Sequence, residues 1–246
     1  MALPFALITT NVRIAISELV VYDYAVRHYG AEEASGIPES ELIRANRQIH
    51  SYLTNSGEGS LAPIVVNARG ETEALFNVRE TAHMADVRDL VAALFSVQVL
   101  VLGTIVSLAV AMLVLWPPRA LAAAAVYGSV LTACVLGLLS LVALSGFDSA
   151  WSQFHVLAFA NDFWELDPDR DHLIQMYPEA FWFDSTMLIG VATLFEAVVI
   201  SGVSAGYLVL SRPKNEPRLL PEPRELPPRP DLRQRIGPPD PSHSTR

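Results

Sequence analysis

Residues 90–116 read LVAALFSVQVLVLGTIVSLAVAMLVLW, and none of these side chains is charged. At 1.5 Å rise per residue the run is about 40 Å long as a helix, and roughly 20 apolar residues suffice to cross a hydrocarbon core. Two other stretches behave alike: Ala120–Phe147 carries no charge, and Ser185–Ser211 carries only Glu196. The chain of 246 residues is 51% hydrophobic and 17% charged, where a soluble domain has about a quarter of its residues charged. Three such spans exclude a soluble enzyme, a nucleic-acid module and a secreted disulfide scaffold. The single cysteine, Cys134, lies inside the Ala120–Phe147 run, so no bridge forms within the chain. It has no neighbouring cation or helix start to lower its pKa, and it reads as structural.

Outward from these runs the charge is uneven. Phe147–Ser185 holds one basic residue against eight acidic ones, and Arg13–Asp89 is also acidic, in a chain of net charge −9. Arg119 sits in the short link between two runs, and Arg212, Lys214, Arg218 and Arg224 follow the last. Lys and Arg near span ends mark the cytoplasmic side, so the link and tail are expected inside and both acidic segments outside. Residues 2–12 are apolar but stop at Arg13, and they lack the basic start and cleavage site of a signal peptide. They read as the outer part of a first span whose beginning is missing from this sequence, in preference to a short interfacial helix. Arg13 would then snorkel to the outer headgroups.

The expected architecture is all-α membrane: a four-transmembrane-helix bundle with a small extracytoplasmic α+β cap between spans 1 and 2. Its parts are a partial first span at 1–16, the cap at 17–77, a helix at 78–116 continuing into span 2, span 3 at 119–145, an outward aromatic and acidic segment at 147–184, span 4 at 185–211, and a tail at 212–246. The tail holds 10 of the chain's 17 prolines and reads as disordered or partly polyproline II. In the cap, Pro38-Glu39-Ser40-Glu41 opens a helix that stops at Asn55-Ser56-Gly57. Ile64–Val66, Arg69-Gly70 and Ala74–Phe76 then suggest a hairpin.

Asn77 with Glu80 three positions later is a capping-box start. On the helix it opens, His83, Asp86 and Val87 share a face, so Asp86 can orient the imidazole one to two turns above the hydrocarbon. A surface histidine paired with Asp86 satisfies the same spacing. In the second outward segment, a helix over 150–163 would align His155, Phe159 and Asp162. The aromatics there, Trp151, Phe163, Trp182 and Phe183, read as an interfacial belt. A belt gives no role to Asn161 and Asp162, or to the Asp167-Pro168-Asp169 turn.

Several strings carry no chemistry. Gly202-Val203-Ser204-Ala205-Gly206 matches a nucleophile elbow but lies in an apolar helix, so it reads as small residues for close helix packing. Glu196 is an intramembrane acid, either functional or paired with a neighbouring Ser or Thr. A metal site from His83, His155 and His172 has no supporting spacing, and no cofactor motif is present.

Two stretches, Leu75–Arg88 and Phe154–Phe181, resemble the lipoprotein intramolecular transacylase (Lit) family of four-span bacterial membrane proteins. The resemblance runs in order from about Leu3 to Leu210, is strong in the two histidine motifs, and leaves out the proline-rich tail. It implies a cell-membrane enzyme whose substrate is a diacylglyceryl-modified lipoprotein held in the lipid bilayer, with no nucleic-acid partner and no cofactor. The sn-2 acyl chain would move to the α-amino group of the lipidated cysteine, giving a lyso-form lipoprotein. It also implies His83 and His155 as the catalytic pair. The chemistry suits the residues: an α-amine near pKa 7.7–8 and an imidazole near about 6.5 exchange a proton at neutral pH. Donor and acceptor belong to one molecule, so no enzyme nucleophile is required. The second histidine, Asn161 or Arg13 would serve the developing oxyanion, with Asp86 and Asp162 supporting. The alternative reading is a non-enzymatic multi-pass membrane protein that binds lipid or a partner through its outer cap.

Overall fold

A computed structural model describes residues 2–55 and 61–212. The Ser56-Gly57 stop and the tail from residue 213 onward therefore lie outside the described residues. Among those described, three helices are long and apolar enough to cross a membrane: α5 (Val78–Leu115), α6 (Pro118–Ser145) and α9 (Glu179–Leu210). Only 6% of the most apolar window of α5 is buried within the chain, so lipid must cover the rest. The α5–α6 turn follows from its prolines. Trp116 is extended, as a residue before proline prefers, and Pro118 starts α6, where its missing N–H costs nothing. Arg119 donates to the Ser211 carbonyl, so the link and the end of α9 lie at the same end of the bundle.

Helix α1 (Ala2–Ser17) packs against α5, α6 and α9 and completes a bundle of four. It breaks at Glu18 into α2 (Leu19–His28), with a bend of 70°. The carbonyls freed by the break are satisfied: Tyr22 donates its hydroxyl to Ile16 at 2.7 Å, and His50 donates Nε2 to Ser17 at 2.8 Å. Close packing occurs where α1 meets α6. A Cβ on Gly128 would lie 3.0 Å from Leu3 Cδ2. Gly202 and Gly206 have open space instead, with nothing within 4 Å, so the expected small-residue packing is not found there. Their side of α9 turns away from the other described helices.

The short helices α3 (Ala31–Ser35) and α4 (Glu39–Thr54) join α2 and a hairpin in the cap. Strands β1 (Ile64–Val66) and β2 (Thr72–Ala74) pair antiparallel, Ile64 opposite Ala74, around a turn in which Gly70 takes φ +81°. Ile37, Leu42, Ile49, Val65 and Leu75 form the cap core. That core also takes Met84 from α5, with Leu173, Met176, Tyr177 and Phe181 from the region of α8 (His172–Met176) and the start of α9. The segments before α5 and between α6 and α9, distant in sequence, thus share one apolar interior. Buried Asn46 ties them further, donating to Asp23 at 3.0 Å and accepting from the Tyr177 hydroxyl at 2.7 Å.

Candidate active site

The start of α5 is fastened before the site begins. Asn77 Oδ1 accepts from the Glu80 amide and Glu80 accepts from the Asn77 amide, so the capping box forms. Each side chain has a second partner in the segment between α6 and α9. Asn77 Nδ2 donates to Asp171 at 2.9 Å, and Glu80 accepts from the Leu173 amide at 2.7 Å. His83 follows one turn later, seven residues ahead of Leu90. It therefore stands about 10 Å before the charge-free run begins, among Arg79, Glu80, Asp86, Arg88 and Asp89.

His155 lies in the last turn of α7 (Phe147–Ala158). The helix ends there because Phe159 is extended, and Asn161 Oδ1 accepts from the Phe163 amide in a side-chain turn. The helix expected over 150–163 is therefore too long, and Asp162 does not share a helical face with His155. The convergence of the two histidines is direct: their ring centroids are 5.9 Å apart. His83 meets Phe159 edge to face at 5.1 Å, and both rings are buried, at 7% and 8% exposure.

Hydrogen bonding leaves each imidazole with capacity to spare. His155 Nδ1 lies 2.8 Å from the Trp151 carbonyl, which can only accept. Nδ1 therefore carries the proton, and in the neutral ring Nε2 keeps its lone pair. Nδ1 of His83 is buried with no partner. Burial lowers the His83 pKa to about 4; the neighbouring His155 adds to this and Asp86 opposes it. The His155 pKa is also lowered by burial, against the Trp151 carbonyl, which favours the protonated ring. Both rings are thus neutral at pH 7.

The remaining expected residues divide. Asp86 accepts from Asn161 Nδ2 at 2.8 Å, joining the α5 face to the loop after α7. One N–H of Asn161 remains beyond that bond. Asp162 is anchored to α5 through Arg79, which donates to its backbone carbonyl and lies 3.7 Å from its carboxylate. Its side chain is 74% exposed, so it is a fastening of the loop and does not face the rings. Arg13 is not brought to this site. Its guanidinium donates to Gln98 at 2.8 Å and lies 4.5 Å from the Phe95 ring. Gln98 is fifteen residues along α5 from His83, or about 22 Å, which removes Arg13 as an oxyanion donor there. Two walls of the site escaped the sequence reading. Trp151 and Trp164 pack on His155 beside the expected Phe159; the sequence reading assigns Trp151 to a membrane belt and gives Trp164 no role. Among the described residues no three His, Cys, Asp or Glu side chains converge as metal ligands would.

The family model for the lipoprotein intramolecular transacylase Lit matches residues 1–182. The chain belongs to the Lit family. Its fold is that of the membrane-integral Lit from Bacillus cereus, at TM-score 0.72 and 19% identity, over 85% of this chain and 91% of that one. Two further structures of Bacillus cereus Lit, with a histidine replaced by alanine in one and by arginine in the other, give TM-scores of 0.68 and 0.65. A curated relative, an uncharacterised protein of Aquifex aeolicus (strain VF5), is 22% identical over 200 residues, spanning 80% of this chain and 87% of its own length. This Lit family member is accordingly a mostly helical membrane protein carrying a small two-stranded sheet.

Proposed function

We propose that this protein is an intramolecular N-acyltransferase of diacylglyceryl-cysteine lipoproteins, with α1 as a partial first span, the histidine end extracytoplasmic and the tail cytoplasmic. Membership in the Lit family supports the substrate class. The observation that carries the chemistry is the meeting of two buried, neutral imidazoles at the membrane-facing edge of the cap. The α-amine of the lipidated cysteine attacks the sn-2 ester carbonyl, forming the N–C bond and an oxyanion. His155 Nε2, the nitrogen with the free lone pair, takes the proton leaving the amine. The bond between the acyl carbon and the glyceryl oxygen then breaks, and the same proton passes to that departing oxygen. An amide and a free hydroxyl result, with no net proton change. A ring N–H of neutral His83 donates to the oxyanion while it lasts, with the spare N–H of Asn161 beside it. Holding amine and ester of one molecule in this pocket supplies rate through proximity. The sidedness is supported by Arg119 and Ser211 sharing the end that precedes the basic tail.

Expression in a bacterium without other N-acylating activity tests this reading. Mass spectrometry of lipoprotein N-termini should find an N-acyl chain together with a monoacylglyceryl thioether. Diacylglyceryl peptides with free amines, despite folded protein in the membrane, would contradict it.

A further inference from the structure

Proton transfer through His155 requires that a buried imidazole become a cation for part of the cycle. Burial opposes this. Among the described residues no carboxylate hydrogen-bonds to His155 or lies within ion-pair distance of it; Asp86 is held by Asn161, and Asp162 is drawn to Arg79. What borders the ring is aromatic. Trp151 and Phe154 meet it edge-on, at 76° and 79°, and Phe159 is tilted at 39°. Trp164 is the most nearly parallel of the four, its ring centroid 5.1 Å away at 30°, so its indole covers one face of the imidazole.

Trp164 is held where it is by the loop that carries it. The Glu165 amide donates to Asp162 and the Leu166 amide to Trp164 itself, closing two tight turns. Asn161 on Asp86 and Arg79 on Asp162 then clamp this loop to the helix that bears His83. A belt tryptophan needs only an interface, whereas this one is bound into the same scaffold as both histidines. The face of an indole is electron-rich and is the best of the aromatic faces for a cation within about 6 Å.

We propose that Trp164 is a positioning residue for acyl transfer, its indole face supporting the transient imidazolium of His155 in place of a carboxylate. A carboxylate on the ring would raise its pKa and keep more of it charged at rest. A π face favours the cation weakly enough that the ring rests neutral and strongly enough that charging it is feasible. The inference rests on the acyltransferase reading for its role in turnover, but the pairing of Trp164 with a charged His155 can be measured without turnover.

Two measurements test it on the full chain in lipid nanodiscs. In the first, Trp164→Phe should keep most of the activity, whereas Trp164→Leu should lose about tenfold in kcat with KM within twofold. Pentafluorophenylalanine at position 164, which keeps a ring but reverses its quadrupole, should behave like leucine and guards against a leucine variant that packs poorly. In the second, ring-labelled histidine is followed by NMR against pH, with His155 assigned from a His155→Gln variant. The other titratable and charged groups near the two rings, His83, Asp86, Arg79, Asp162, Glu80, Arg88, Asp89 and Glu165, are unchanged throughout. His155 should charge at lower pH in the leucine and pentafluorophenylalanine proteins than in the phenylalanine protein. Equal kcat losses in all three variants, or coincident His155 titrations, would overturn the proposal. A wild-type chain that shows the titration differences but makes no lyso-form product would instead refute the acyltransferase reading and leave the Trp164–His155 pairing standing.

Discussion

Two polar clusters lie along α5, about 22 Å apart, and they differ in which hydrogen bonds are left to make. In the deeper cluster, α1 is laced to its neighbours. Arg13 donates to Gln98, Gln98 donates to Thr10, and Asn11 donates to both Thr193 and Glu196. Lipid offers α1 no hydrophobic reason to associate, so these bonds do much of the holding. At the His83 end, Nδ1 of His83 has no partner among the described residues, and Nε2 of His155 is left with its lone pair. Charge and burial are present in both places. Groups bonded across helices build the bundle, whereas buried groups with a bond left to make can meet a substrate.

The most severe way to break this contrast is to remove the open imidazoles. His155→Ala and His83→Ala should each reduce acyl transfer by about 10³-fold, within the range of lost acid–base or oxyanion groups, with unchanged expression and melting behaviour. Retained activity in either variant would place the chemistry elsewhere. Acid should act on the same pair. His83 titrates at about 4 in the folded chain and near about 6.5 when unfolded, so between these values the unfolded state binds the extra proton. Stability should therefore be constant above pH 7 and fall as pH drops from about 6.5 to about 4, by on the order of 3 kcal/mol. Thermal melts of wild type against His83→Gln in detergent would check this, since the variant should lose most of that slope.

Smaller effects sharpen the comparison. Asn161→Leu cuts the link to Asp86 and should cost about tenfold in kcat while the cap stays folded, measured by turnover and circular dichroism. Gln98→Leu acts on the cluster that laces α1 to α5. It should lower thermal stability by about 1 kcal/mol, typical of a hydrogen bond between membrane helices, and leave kcat within twofold. A large kcat loss with no change in stability would reverse the distinction between the two clusters.

How much of this is legible from residues alone depends on the range of the physics involved. The three long spans announce themselves because apolar runs of more than 20 residues with at most one charge have few other uses. The Asn77–Glu80 start and the hairpin around Gly70 are local rules, and the structure contains both. Arg13 misleads because a cation at the end of a short apolar run suggests an interface, whereas the neighbour that receives it lies fifteen residues down α5 from His83. Asp162 misleads because the helix that would align it ends at Ala158, and the turn-forming Asn161 was the available signal. Gly202 and Gly206 match a packing string with no helix against them. The meeting of His83 and His155 depends on the shared core of two distant segments, which no periodicity encodes. Only resemblance to known histidine motifs brought those residues together beforehand.

The central claim is that two neutral imidazoles move an acyl chain within one lipidated molecule. A synthetic diacylglyceryl-cysteine peptide, isotopically labelled in its sn-2 chain and mixed with an unlabelled peptide of different sequence, tests it directly with the purified chain. The account predicts that the label appears as an N-acyl group on the peptide that carried it as an ester. Label on the other peptide, released as free fatty acid, or retained in the ester would contradict it.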